Sequence, residues 1–352
     1  MINFKVILNV LGILLLALSA LMLFPIIADV IKNNSTWMSF IMSLGITASV
    51  GVTLILSTRD EANKKLIMQD AFLLTTLSWV FVCFFGSLPF YLSDINFSFT
   101  DSVFEAMSGV TTTGSTIISD VESMPHGILI WRALLQWLGG VGIIVMALSI
   151  LPVLQVGGMQ VFRTESSDTT EKILPKTTQI ASAVILIYLV LTFLCLVSYW
   201  ILGMSFFDAL IHSMTTIATG GFSSKNESFA SFNINSLEYI ACLFMIIGSL
   251  PILIYLEVWN GKFKKVFNDT QISTFIYLLF TCSIVVIFYL WFNDIKDLND
   301  SIRLGLFNVI SIITGTGYTT DNFNLWGPFP IYLLFFGMFI GGCAGSTTCG
   351  IK

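Results

Sequence analysis

The sequence predicts an all-α membrane protein built around internally repeated pore-loop units. Three observations carry that reading. The 352-residue chain is 55% hydrophobic and only 11% charged, against about 25% charged residues in an ordinary soluble domain. Its apolar residues come in long runs rather than ten-residue alternations, which excludes a transmembrane β-barrel. A short motif recurs three times between those runs. Mean hydropathy is +0.88.

Hydropathy places seven complete spans near residues 6–28, 38–57, 70–92, 128–151, 180–203, 236–258 and 272–292, and an eighth begins at Pro328. The first is too long for a signal-peptide core and no small-residue cleavage site follows it, so it reads as a retained helix. Arg59, Lys64, Lys65, Arg163, Lys172, Lys176, Lys262, Lys264 and Lys265 fall in alternate loops. The positive-inside rule makes those loops, and the N-terminus, cytoplasmic. The other face carries acids that include Asp94, Asp101, Glu105, Asp120, Glu122, Asp208, Glu227 and Asp321. They read either as an acidic vestibule that concentrates cations or as ordinary loop solubility.

The outer connections contain FEAMSGVTTTGST (104–116), IHSMTTIATGGFS (211–223) and FNVISIITGTGYT (307–319). Aligned without gaps, they bring Gly114, Gly221 and Gly317 into register, along with Met107, Met214 and Ile310, and with Ser108, Thr215 and Ser311. Repetition at intervals of 107 and 96 residues marks a repeated supersecondary unit, here span, half-helix, Thr/Gly turn, span. The resulting divisions are an N-terminal hairpin at 1–58 and repeats at 59–165, 166–262 and 263–352. A half-helix that stops at mid-membrane aims its negative end at the axis. A turn of carbonyl oxygens there can replace the hydration shell of a cation, and glycine supplies the φ values such a turn needs. The predicted filter residues are Thr111, Thr112, Thr113 and Gly114; Thr219, Gly220 and Gly221; and Gly315, Thr316 and Gly317. An all-oxygen neutral ligand set suits a monovalent cation better than a transition metal.

Residues 328–352 form a second feature. The apolar part, Pro328 to Ile340, covers about 20 Å at 1.5 Å per residue, short of the roughly 30 Å hydrocarbon core. The glycines that follow therefore fall inside the membrane, where non-helical backbone is tolerated only inside protein or along a water-filled path. A helix C-cap leading out of the membrane is the alternative.

These motifs, with WRALLQWLGGVGIIVMALSILPVLQVGGMQVFRTES (131–166), GGFSS (220–224), TGYTTDNFNLW (316–326) and GGCAGSTTCGIK (341–352), resemble the Trk/Ktr/HKT superfamily of potassium transporters, specifically its bacterial Trk-type membrane subunit. The resemblance implies four linked potassium-channel-like units, with potassium as the transported ion, no covalent cofactor and residence in the bacterial inner membrane. It gives the critical filter positions to Gly114, Gly221 and Gly317. Glycine rather than serine at 114 points to potassium over sodium. Phe222 and Tyr318 are expected to pack beside the filter, with Ser115 in that place in the first repeat. The resemblance also makes 341–350 an intramembrane gating loop, with Gly341, Gly342, Gly345 and Gly350 giving flexibility and Ser346, Thr347 and Thr348 giving hydroxyls. Cys349 stands where the family usually has glycine. The implied partners are a second copy of the subunit, a cytosolic nucleotide-binding regulatory subunit and the lipid bilayer; no nucleic acid is expected.

A fourth glycine motif would fall about 100 residues beyond Gly317, past Lys352. The chain is therefore expected to be a truncated product, or one completed by a second polypeptide. The competing reading is a non-transporting remnant that at most assembles with other subunits. Six singly placed cysteines and two histidines give no metal-site spacing. GGCAG lacks the GK[ST] of a phosphate loop, and no Ser/His/Asp or Cys/His set suggests an enzyme. Arg132 is expected to snorkel to the interface. Glu105, His212 and Asn308 share one repeat position, with hydrogen bonding behind the filter and plain helix packing both open. The polar segment 163–179 reads as a solvated loop or as a docking site for a regulatory subunit.

Overall fold

The computed structural model describes residues 2–59, 68–154, 177–348 and 350. Lys64, Lys65, Arg163, Lys172, Lys176, nearly all of the segment 163–179, and Cys349 lie outside them. Among the described residues the regular structure is entirely helical. The helices are α1 Phe4–Leu21, α2 Leu23–Lys32, α3 Trp37–Thr58, α4 Met68–Tyr91, α5 Phe99–Val110, α6 His126–Leu154, α7 Thr177–Ile201, α8 Phe206–Ile217, α9 Asn235–Gly248, α10 Ile252–Trp259, α11 Lys264–Asn268, α12 Thr270–Phe292, α13 Leu298–Ile313 and α14 Pro328–Gly337.

Among the described residues five stretches are long and apolar enough to cross a bilayer, and their apolar windows are only 22–39% buried. The rest of that apolar surface faces outward, which in a chain of this composition means lipid. The chain divides into two compact units: Met1–Val110, Ser123–Leu135 and Val145–Gln179 in one, and Thr111–Glu122, Gln136–Ile144 and Ile180–Lys352 in the other.

In the first unit α1 packs against α3 through glycines. A β-carbon on Gly12 would sit 2.9 Å from the Gly51 carbonyl oxygen, and one on Gly51 would sit 3.0 Å from the Gly12 oxygen. Small residues let membrane helices approach this closely. Asn9 Nδ2 donates to Thr58 Oγ1 at 3.0 Å across the same pair. The hairpin is fixed to α6 by Asp29, whose buried carboxylate accepts from Gly127 N (2.6 Å), Asn34 Nδ2 (3.0 Å) and Thr36 Oγ1 (2.5 Å). It thereby satisfies a first-turn N–H that α6 leaves without an internal partner. Trp131 Nε1 donates to Gly86 O at 2.8 Å.

In the second unit the expected span 236–258 is not one helix. It breaks into α9 and α10, bent by 93°. Pro251 explains the break, since it has no N–H to donate and disfavours helical geometry in the residue before it. Apolar residues run through the break, so hydropathy does not register it. Short helices precede the second and third Thr/Gly turns, α8 with 12 residues and α13 with 16, and α14 stops at Gly337, three residues before the end of the apolar run.

Candidate ion filter and gate loop

All three Thr/Gly turns belong to the second unit, and their backbones repeat. Gly114, Gly221 and Gly317 have φ of 79°, 77° and 81°. Two residues earlier, Thr112, Thr219 and Gly315 have φ of 56°, 50° and 73°. Left-handed φ at every second residue takes these strands out of the ordinary β-pleat. For the β-branched threonines it is a strained conformation of the kind that gathers at ligand-binding sites.

The strands also stand in one rotational order. A β-carbon on Gly114 would lie well inside contact distance of the Gly220 carbonyl oxygen, and one on Gly221 would strike the Thr316 carbonyl oxygen. Gly220 and Thr316 hold the same register position, one before the signature glycine. Gly114 and Gly221 thus each face the preceding-residue oxygen of the next strand. The corresponding side of Gly317 is open.

Hydroxyls brace two of the strands identically. Thr111 Oγ1 lies 2.7 Å from Thr113 Oγ1, and Thr314 Oγ1 lies 2.9 Å from Thr316 Oγ1. The second strand has Ala218 and Gly220 at those positions. There Gln136 of α6 supplies the support: its Nε2 donates to Gly220 O at 2.6 Å and its Oε1 accepts from Phe222 N at 3.0 Å. Sequence reading did not single out Gln136. The available signal was an amide in the middle of an apolar helix, which has to find partners.

Behind the second and third filter turns, the shared half-helix position carries hydrogen bonds. His212 Nδ1 donates to Asp208 O at 2.8 Å, which leaves Nε2 of the neutral ring to accept from Ser223 Oγ at 3.0 Å. Asn308 Nδ2 donates to Thr320 Oγ1 at 2.9 Å. Both reach the chain just past their own signature glycine. Glu105, in the first copy, instead pairs with Arg132: Nε donates to Oε1 at 2.7 Å, with side chains 2% and 0% exposed. Arg132 therefore does not snorkel, and Glu105 is not part of an exposed acidic surface. Once both groups are desolvated, each depends on the other as its partner.

Phe222 and Tyr318 are buried as expected, while Ser115 is exposed. The Tyr318 hydroxyl lies 2.5 Å from Thr215 Oγ1, and Ser311 Oγ donates to Tyr318 O at 2.7 Å. The register-matched hydroxyls Thr215 and Ser311 thus converge on one filter residue. The outer loop of the second copy clasps both neighbours. Asn226 accepts from Val121 N (2.7 Å) and donates to Asp120 (2.9 Å), while Ala230 N donates to Thr319 O (3.2 Å).

The loop 341–350 sits in the break of the α9–α10 helix. Cys343 N donates to Ser249 O at 3.0 Å and Ile252 N donates to Gly345 O at 3.0 Å. Two backbone groups freed by Pro251 are thereby satisfied. Thr347 Oγ1 lies 3.1 Å from Ile217 O and 3.0 Å from Gly248 O, the last carbonyls of α8 and α9. Thr219 Oγ1 of the second filter strand is 3.1 Å from the same hydroxyl. Ser346 and Thr348 close the loop on itself: Ser346 Oγ donates to Cys343 O (2.6 Å) and Gly342 N donates to Thr348 Oγ1 (3.0 Å). Gly341, Gly345 and Gly350 all have positive φ.

Residues 37–352 match the TrkH family, described as cation transport protein. The chain belongs to that family. It is 38% identical over 349 residues to the Trk system potassium uptake protein TrkI of Halomonas elongata, which covers 98% of this chain and 70% of that protein. It is 36% identical over 355 residues to Trk system potassium uptake protein TrkH of Escherichia coli strain K12, covering 99% and 73%. The crystal structure of the potassium transporter TrkH from Vibrio parahaemolyticus matches with a TM-score of 0.91 at 34% identity, over 99% of this chain and 72% of that one. TrkH-family membership makes this an integral membrane protein of a cation-transport class, with the fold of that crystal structure.

Proposed function

We propose that the protein takes up potassium ions through the three-strand filter, and that loop 341–350 controls the passage beneath it. The observation that carries this is the repeated geometry of Gly114, Gly221 and Gly317: equal left-handed φ, and each of the first two set against an oxygen of the next strand. Neutral oxygens in a ring replace the water of a monovalent cation. The C-terminal ends of α8 and α13 add their negative partial charge.

In this reading Thr111, Thr112, Thr113 and Gly114, then Thr219, Gly220 and Gly221, then Gly315, Thr316 and Gly317 form the filter, and a closed ring requires one further strand on the open side of Gly317. Gly341, Gly342, Gly345, Ser346, Thr347, Thr348 and Gly350 form the gate. The repeat divisions at 59–165, 166–262 and 263–352 follow from the same register. In this reading the protein lies in a bacterial inner membrane with its basic loops and N-terminus facing the cytoplasm, as the positive-inside rule favours. Potassium uptake proteins of the Trk system among the relatives support potassium as the ion. Their Trk-system names also support assembly with other Trk components; in this reading the components are a second copy of this subunit and a cytosolic nucleotide-binding subunit.

Growth on low potassium of a strain stripped of its own uptake systems tests the function. Co-expression of this chain with a polypeptide that supplies the remaining filter strand is expected to restore growth, and Gly221→Ala to remove it. Normal membrane insertion without potassium uptake would overturn the reading.

A further inference from the structure

We propose that Gln136 is a positioning residue that sets the ion selectivity of the second filter strand. The inference rests on the filter reading above. Two of the three strands are stiffened by a pair of their own threonine hydroxyls, and the second has none. Its tandem Gly220–Gly221 also leaves two consecutive residues without a β-carbon. The Gln136 amide bridges this weak point, bonding the residue on each side of Gly221 through Gly220 O and Phe222 N. Its side chain is fully buried, 0% exposed.

The identity of Gly220 fits the same account. Gly220 does not have a positive φ, so backbone geometry does not demand glycine there. A β-carbon at that position would lie 2.5 Å from Gln136 Cδ. Gly220 is therefore glycine to admit the amide.

The oxygen that Gln136 holds is the one that faces Gly114 in the neighbouring strand. A carbonyl tethered from outside cannot follow a small ion inward as a free one can. One of its two lone pairs is also committed to the amide, which lowers the field it offers the ion. Both effects disfavour sodium relative to potassium, whether cavity size or ligand field dominates. Gln136 needs no contact with the ion to do this.

The test uses the purified full chain in lipid nanodiscs. Thermal stabilisation is titrated with KCl and with NaCl at equal ionic strength, for the wild type, Gln136→Glu and Gln136→Met. Gln136→Glu keeps the size and the acceptor for Phe222 N; titrated at a pH high enough to ionise the buried carboxyl, it has no proton for Gly220 O. Gln136→Met keeps the length and removes both bonds. Amide exchange at Phe222 is followed in parallel.

The expected result is a fall of about tenfold in the ratio of potassium to sodium affinity in both variants, the size of one buried hydrogen bond. Phe222 exchange should stay slow in Gln136→Glu and become fast in Gln136→Met. A uniform loss of stability with an unchanged ratio would overturn the proposal and leave Gln136 a packing residue. If Gln136→Met does not fold, the ratio in Gln136→Glu decides alone. A wild type with no preference for potassium would overturn the filter reading and the selectivity role together, while slow Phe222 exchange would still report the clamp.

Discussion

Arg132 and Glu105 form a buried ion pair at 2.7 Å between α6 and the half-helix α5. Removing one member leaves a charge in the interior without its partner. Glu105→Leu is expected to destabilise the protein by about 3–5 kcal/mol. The double variant Glu105→Leu with Arg132→Met should recover most of that loss, because a matched apolar pair carries no desolvation cost. Chemical denaturation of the two variants in the same detergent checks both statements. Equal losses in the single and double variants would show that the pair is not the cause.

Gly221 and Gly317 share a φ but not their surroundings. Alanine at either position is strained by about 1–2 kcal/mol in the left-handed region. Only Gly221→Ala also drives a β-carbon into the Thr316 carbonyl. The melting temperature of this chain should therefore fall clearly further for Gly221→Ala than for Gly317→Ala. Equal shifts would contradict the rotational order of the strands.

Thr347 joins the ends of α8 and α9 to the second filter strand through one hydroxyl. Thr347→Val keeps the shape and deletes the donor, leaving buried carbonyls short of a partner at a cost of about 1–3 kcal/mol. Hydrogen exchange at Cys343 and Ile252, whose amides tie the loop to the α9–α10 break, should accelerate, and ion leak through the resting protein should rise. Unchanged exchange would place the hold on the loop elsewhere.

Asp321 lies outside the membrane spans, beside Lys296 at 2.9 Å and Trp326 Nε1 at 2.8 Å. Partial burial works against its charged form, yet the Trp326 indole and the Lys296 ammonium hold its carboxyl below the usual carboxylate range. A depressed folded pKa contributes stability above the unfolded value near ~3.9, and the contribution is lost as pH falls through the lower, folded value. The stability gap between the wild type and Asp321→Asn should be constant above about pH 5 and close toward pH 3. A gap that widens on acidification would reverse the sign and contradict the assignment.

The three left-handed turns were legible in sequence because their conformation is written in residue type. Left-handed φ at fixed spacing calls for glycine, and a gapless alignment suffices to find Gly114, Gly221 and Gly317. The short helix before the glycine-rich loop was legible from length, since an apolar run from Pro328 to Ile340 is too short to cross a bilayer, and the helix indeed stops at Gly337. The break at Pro251 was not read, because hydropathy averages over it and the partners that make it tolerable, Cys343 and Gly345, lie nearly a hundred residues away. Gln136 and Arg132 escaped for the same reason. Each looks like a stray polar residue in an apolar helix until its partner, 84 or 27 residues distant, is in view.

A diffraction map of crystals soaked in rubidium, a heavier stand-in for potassium, tests the central claim most directly. The account predicts anomalous density on the axis beside the carbonyl oxygens of Thr113, Gly220 and Thr316, reduced by competing potassium more than by sodium. Well-ordered strands with no rubidium between them, or rubidium bound only among the outer carboxylates, would contradict it.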